Sequence, residues 1–448
     1  MKRLLYIALA CGVTLPLALV ACAPASPQAP APPTQPASPH ADAPGHGAIS
    51  GATEAAEPQL QLLTVSHSGE VGLLNLLDGS ERTLDPLPSP QSLITDGRYV
   101  FGVTSDGVTV TDGGAWTWDH GDHFHYYSAE PAQLGLLRGA GPARVTGGPL
   151  STSGGTGVFF AGSGEAVLLD NAKLHDGTIG ERFRVSVAPH DGVIAPLGDG
   201  AVVSEPTQHG ASGQLRAYAP DGAATDTVAP CDSPHGATAT RAGVVVLCTG
   251  GAVLASAEGA SEGAGALPEV TFTEIPVAAA TPDQLPLELA GRKGRPTLAG
   301  VAADGSGVWV LDARARSWSW ISAAAPLTHA TAVGDDAEHV VALDTSGRVR
   351  VYRGGEEIGL SEPLLDPSDL GATDLGSTDL DPTGLDPSAL DADARAHARV
   401  TLTVDDSRAY VNSPARGVVS EIDFADAARV ARELRPGVSP VLFAEVGR

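Results

Sequence analysis

The chain is short of basic residues, of cysteine and of long apolar runs, and each shortage excludes something. Lysine and arginine number 27 against 53 aspartate and glutamate residues, a formal charge of −26. Nucleic-acid affinity depends on neutralising phosphates with cationic side chains, so a chain this acidic excludes DNA or RNA as a natural partner. The same balance favours solubility and draws cations toward the molecule without naming one. After residue 20 no apolar run is long enough to cross a bilayer as a helix. The four cysteines include no C-x-x-C pair, the commonest thiolate framework for zinc. H-E-x-x-H is also missing, so no familiar zinc-hydrolase motif accompanies the histidines.

The one long apolar run stands at the start. Lys2 and Arg3, an apolar core over 4–20 and a small residue before cysteine make residues 1–21 a secretory signal. Its ending, Leu19-Val20-Ala21-Cys22, resembles the bacterial lipobox, in which the cysteine is acylated and becomes the first mature residue. That implies export and a lipid anchor through Cys22 on the outer face of the cell membrane. Losing the signal removes two basic residues and no acidic one, taking the charge from −26 to −28. Residues 22–58 are rich in Pro, Ala, Ser and Gln and read as a disordered spacer. His40 and His46 lie in it, a weak chelate with which a mobile arm could collect zinc. Cys11 leaves with the signal and Cys22 is taken by lipid, so Cys231 and Cys248 remain. In an oxidising compartment two remaining thiols most simply pair, and closing so short a loop would stabilise by about 3 kcal/mol in the chain-entropy model.

From Leu60 onward, short Val/Leu/Ile/Thr runs alternate with Asp-Gly, Ser-Gly and Gly-Gly turns, and helical periodicity is nearly absent. Asp-Gly between apolar runs is a strong hairpin signal. Opening strands of a recurring unit are expected near residues 92–95, 149–152, 192–195, 237–240, 297–301, 330–333, 400–404 and 441–445. Units of about 40 residues with several strands each are the signature of a β-propeller. The last strand has no companions after it and the first strands lack an opener, so the C-terminal strand is expected to complete the N-terminal blade. The expectation is an all-β domain over 59–448 with eight blades, seven being the alternative. Residues 255–289 are expected to hold an irregular outer strand and a loop. Residues 361–393, where Asp-Leu recurs between Pro, Gly and Ser, read as an acidic low-complexity surface insertion without calcium-loop spacing.

The densest chemistry is Trp118-Asp119-His120-Gly121-Asp122-His123-Phe124-His125-Tyr126-Tyr127, in which three of the thirteen histidines fall close together. In an extended segment His123 and His125 project to the same side, near enough to share an ion. Single histidines stand beside turn residues at Pro189-His190-Asp191-Gly192 and Pro234-His235-Gly236, and His329 occupies the matching place in a later unit. In a propeller, loops leading into the inner strands crowd one mouth, which would bring His190, His235 and His329 together. The 119–127 segment would have to fold back over that mouth to join them. His67, His175, His209, His339 and His397 lack such context and read as surface residues, and Tyr126 and Tyr127 as packing.

The run from His120 to Tyr127, the Pro-His-Asp-Gly at 189–192, the arrangement of Cys231, His235-Gly236 and Cys248, and the ending Glu445-Val446-Gly447-Arg448 resemble the AztD family of zinc metallochaperones. The resemblance covers residues 60–448. It implies a β-propeller that binds zinc and delivers it to the solute-binding protein of a bacterial zinc ABC transporter. It also implies zinc ligands at His123, His125, His190 and His235, with His120, Asp122, Asp191 and His329 as further candidates. Where relatives often read His-His-Gly this chain has His190-Asp191-Gly192, and a glutamate that often follows His-Gly is Ala237 here. A monomer is expected. Two other readings are a zinc-dependent hydrolase or lyase, using Asp119, Asp122 or Asp191 as base, and a metal-free lipoprotein interaction scaffold.

Overall fold

Asp-Gly turns set the strand cadence, and the turn at Asp96-Gly97 shows how. Gly97 takes φ +93°, and a Cβ added there would stand 2.8 Å from the Arg448 carbonyl oxygen. Asp96 Oδ1 accepts hydrogen bonds from the Arg98 and Tyr99 backbone N–H groups at 3.0 and 2.8 Å. The chain therefore reverses between the antiparallel strands Ser92–Thr95 and Tyr99–Thr104.

The structure, a computed structural model, describes residues 50–119, 123–206, 213–258, 269–277, 285–370 and 400–448. The signal, Cys22, His40, His46, His120, Asp122, His209 and His397 lie outside the described residues. Among those described, the fold is all-β apart from the helix Asn171–His175 and the 3-10 turn Pro367–Asp369. No described helix is long and apolar enough to cross a membrane.

Of the nine antiparallel sheets among the described residues, eight follow one another along the chain, seven of four strands and one of three. In the first, the C-terminal strand Leu442–Val446 pairs with Gln61–Val65, so the two ends of the domain share one sheet as expected. The later sheets open with Ser92–Thr95, Ala143–Gly147, Ile194–Leu197, His235–Thr240, Thr297–Val301, Leu327–Ala332 and Leu402–Val404. The third opener differs from the expected 149–152. Pro149 has no N–H to give a ladder, whereas Ala143–Gly147 pairs residue for residue with Gly155–Phe160.

The apolar core is built between sheets. Tyr99, Phe101 and Val108 of the second pack with Val158 and Val167 of the third. Phe159 and Leu168 of the third meet Ile194 and Val203 of the fourth, and the same relation continues through the later sheets. A further cluster joins Tyr410 and Val419 of the eighth sheet to Leu62, Leu74 and Phe443 of the first. Each such side chain contributes about 1.5–3 kcal/mol when fully buried, so the inter-sheet seams are the main source of stability.

Three local expectations change. Within the insertion read over 361–393, Leu364 and Leu365 are buried in the core between the seventh and eighth sheets. Asp369 accepts hydrogen bonds from the Ser413 hydroxyl and, at 2.9 Å, the Ala415 N–H, so it serves as a structural acceptor. Residues 371–399 lie outside the described chain. Over 255–289, Glu269–Pro276 is a regular outer strand paired with Gly251–Glu258. The spacer read over 22–58 also reaches too far, because Thr53–Ala55 forms a strand on Phe124–Ser128. Nothing in its local composition requires this, since the pairing partner lies far along the chain.

Candidate metal centre

Strand direction decides where the histidines stand. Tyr99–Thr104 runs against the opening strand of the second sheet and Gly107–Asp112 runs against Tyr99–Thr104. The chain after Asp112 therefore emerges at the end where opening strands finish. There it forms a hairpin, Ala115–Asp119 with Phe124–Ser128, to which Thr53–Ala55 adds a third strand. Gly113 N–H donates to the Arg98 carbonyl at 3.0 Å and the Thr117 hydroxyl donates to the Gly447 carbonyl at 3.2 Å, fixing the hairpin at that finishing end.

On this hairpin the Nε2 atoms of His123 and His125 are 2.9 Å apart, with ring centroids separated by 4.7 Å. Two nitrogens bound to one tetrahedral zinc sit about 3.3 Å apart, so both rings need only open slightly to admit the ion. His125 Nδ1 lies 2.6 Å from Glu54 Oε1 on the added strand. A carboxylate there keeps the proton on Nδ1 and turns the Nε2 lone pair toward His123, the outer-shell arrangement that orients histidine ligands of zinc. Behind the pair, Tyr127 is buried and stacks on Trp116 at 5.4 Å. Burial, and then the negative charge of Glu54, push the Tyr127 phenol up from its ordinary value.

His190 and His235 stand at the opposite end, where opening strands begin. Arg144, in the opening strand of the third sheet, holds Asp191 through two hydrogen bonds of 2.8 and 2.7 Å. Burial raises the Asp191 carboxyl, but Arg144, with His235 and His190 adding positive charge, holds it below its usual range. Asp191, expected as a replacement ligand, is thus held by Arg144. His190 is tied as well: Nδ1 donates to the Ala188 carbonyl at 2.8 Å, and Nε2 meets the Ser204 hydroxyl at 2.8 Å. Both ring nitrogens of His190 are thus engaged. His235 Nδ1 donates to the Ser233 carbonyl at 2.6 Å. His329 Nδ1 is 3.0 Å from the Thr328 hydroxyl.

The structure therefore brings His123 and His125 together and places His190, Asp191 and His235 near one another, but separates the two groups. The expected fold-back over the mouth holding His190 and His235 does not occur for the described His123–Tyr127, because an odd number of strands precedes the hairpin. Among the described residues no group of three His, Cys, Asp or Glu side chains is arranged to hold a metal ion. In sequence, His120 and Asp122 fall between the two hairpin strands.

Two histidines read as surface residues are structural. His339 is buried, bonded through Nδ1 to Asp335 Oδ2 at 2.6 Å. His175 is half-buried against Trp116, and burial, followed by the charge of Arg98, pushes it down to about 4. Glu54 is the partner of His125 that the sequence did not reveal; it stands 71 positions from His125 in an unremarkable Thr-Glu-Ala. Cys231 and Cys248 form the expected disulfide, ahead of and at the end of the first hairpin of the fifth sheet.

No family model and no curated protein matches the sequence. The fold is similar to the crystal structure of AztD from Citrobacter koseri, with a TM-score of 0.67 at 20% identity over 88% of this chain and 99% of that one. Apo AztD from the same organism gives 0.67 and 20% over 87% and 98%. A putative 6-phosphogluconolactonase from Bacteroides fragilis aligns at a TM-score of 0.41 and 9% identity over 88% of this chain and 99% of that one.

Proposed function

We propose that this chain is an exported zinc carrier of the AztD type, which holds zinc at the hairpin through His123 and His125 and passes it to the solute-binding protein of a zinc ABC transporter. The observation that carries the reading is the facing Nε2 pair, with His125 oriented by Glu54. Two imidazoles with a carboxylate behind one of them form a donor set suited to zinc. His120 and Asp122, which fall between the two strands in sequence, are the candidates to complete the shell. The sequence resemblance and the fold likeness to AztD point the same way.

A carrier needs a site a partner can reach, and among the described residues His123 is exposed and His125 partly so on the hairpin. This favours carriage over catalysis. We read the eight sheets as blades of a closed propeller, supported by the apolar cluster joining the eighth to the first. The lipobox supports anchoring through Cys22, with zinc handled outside the cell membrane.

The test is metal transfer. Protein purified from unsupplemented cells should carry about one zinc, and stopped-flow mixing with the zinc-free solute-binding protein should move it faster than a chelator draws it off. Transfer at the chelator off-rate, independent of acceptor concentration, would reduce the protein to a passive zinc buffer.

A further inference from the structure

We propose that the strand Thr53–Ala55 is a detachable part of the metal site, whose seating on Phe124–Ser128 sets how tightly zinc is held. This rests on the zinc-carrier reading. The register pairs Thr53 with Ser128, Glu54 with Tyr127 and Ala55 with Tyr126, so Glu54 stands diagonally across from His125, within reach of a long side chain. Its Oε1 is 2.6 Å from His125 Nδ1.

That contact does two things to His125. It fixes the tautomer that offers Nε2 to the metal, and it holds the ring in that orientation. Loss of such an outer-shell partner typically weakens metal binding about 10–100-fold while leaving every ligand in place. Glu54 is therefore a positioning residue, and its position depends on only three paired residues.

The strand is the least secured piece of the hairpin sheet. It is three residues long, forms the sheet's edge, and has two of its residues exposed. Edge segments with few buried contacts open at low free energy. Thr53–Ala55 also leads directly from the segment that the sequence reads as the tether. Whatever draws on that segment would lift Glu54 from His125, converting a firm zinc site into a weaker one without touching His123 or His125.

Linkage supplies the test. If a seated strand favours zinc, zinc must favour the seated strand. In the full mature chain, zinc should slow hydrogen exchange at the amides of residues 53–55. Glu54→Ala should abolish that slowing and weaken zinc about 10–100-fold in chelator competition. In the metal-free protein, nitrogen-15 shifts of His125 should report a proton on Nδ1, and Glu54→Ala should erase the preference. Glu54→Gln, which accepts a hydrogen bond without the charge, should fall between. Wild-type zinc affinity in Glu54→Ala overturns the proposal while leaving zinc carriage intact. Weakened affinity with exchange at 53–55 indifferent to zinc overturns the strand's part in it. A wild-type chain that takes up no zinc overturns both this proposal and the zinc reading.

Discussion

The guanidinium of Arg98 lies over the indole of Trp116, 3.8 Å from the ring centroid, with both side chains fully buried. Arg98 also gives hydrogen bonds to Asp112 at 3.0 and 2.7 Å, and a further one to His175 Nδ1. One cation thus fastens the second sheet, the hairpin and the short helix Asn171–His175 together. Arg98→Ala should cost about 3–5 kcal/mol, because it leaves Asp112 uncompensated in the interior. Arg98→Lys should not restore the loss, since an ammonium cannot both stack and fork. Denaturant unfolding of the two variants checks this, and stability within 1 kcal/mol of wild type in either would contradict it.

His175 makes the same junction sensitive to acid. It accepts from Arg98 and is held near a pKa of about 4. A base depressed in the folded state favours folding above its ordinary value near 6.5, and that contribution is lost as pH falls through about 4. The tryptophan fluorescence of Trp116 and Trp118 should change with a midpoint near pH 4. His175→Gln should remove that transition.

Glu445 has the opposite sign. It is fully buried, and Arg448 lies 3.4 Å from Oε2. Burial raises it, Arg448 offsets part of the rise and Asp405 adds to it, leaving it at about 7. A carboxyl raised on folding stabilises fully below its ordinary pKa and loses that contribution as pH rises through about 7. Over that span the group removes about 3 kcal/mol. Glu445→Gln should flatten this part of the stability profile between pH 4.5 and 8, read by chemical denaturation. An unchanged slope would assign the pH dependence elsewhere.

Zinc binding should divide the histidines by face. His123→Ala with His125→Ala should weaken zinc more than about 100-fold, exceeding the loss of an outer-shell partner alone. His190→Ala should leave zinc affinity within about twofold, because His190 stands where opening strands begin, at the end away from the His123–His125 pair. Competition with a calibrated chelator separates the two cases, and the reverse pattern would move the site to the other end of the molecule.

The disulfide belongs to the end away from the histidine pair. Replacing Cys231 and Cys248 with serine should cost about 2–4 kcal/mol of stability and leave zinc affinity at the hairpin unchanged. Thermal melts and zinc titrations on the same preparation test both halves.

Strand cadence was readable because Asp-Gly turns and β-branched runs act locally, as at Asp96-Gly97. So was the union of the two chain ends, since Leu442–Val446 had no companions to follow it. The pairing of Cys231 with Cys248 followed from having two thiols left in an oxidising compartment. His123 and His125 were legible as a pair because alternation in a strand places them on one side.

By itself, then, the sequence determined the local periodicities: where strands form, which side chains share a face, and which cysteines remain to pair. Tertiary structure alone decided which of those faces meet. It sent the hairpin to the finishing end of the strands, away from His190 and His235, by counting strand reversals that no single motif encodes. It also brought Glu54 to His125 across 71 residues. The physical reason is that hydrogen-bonded pairing and burial act between segments distant along the chain, so their outcome is written in the whole fold rather than in any one stretch.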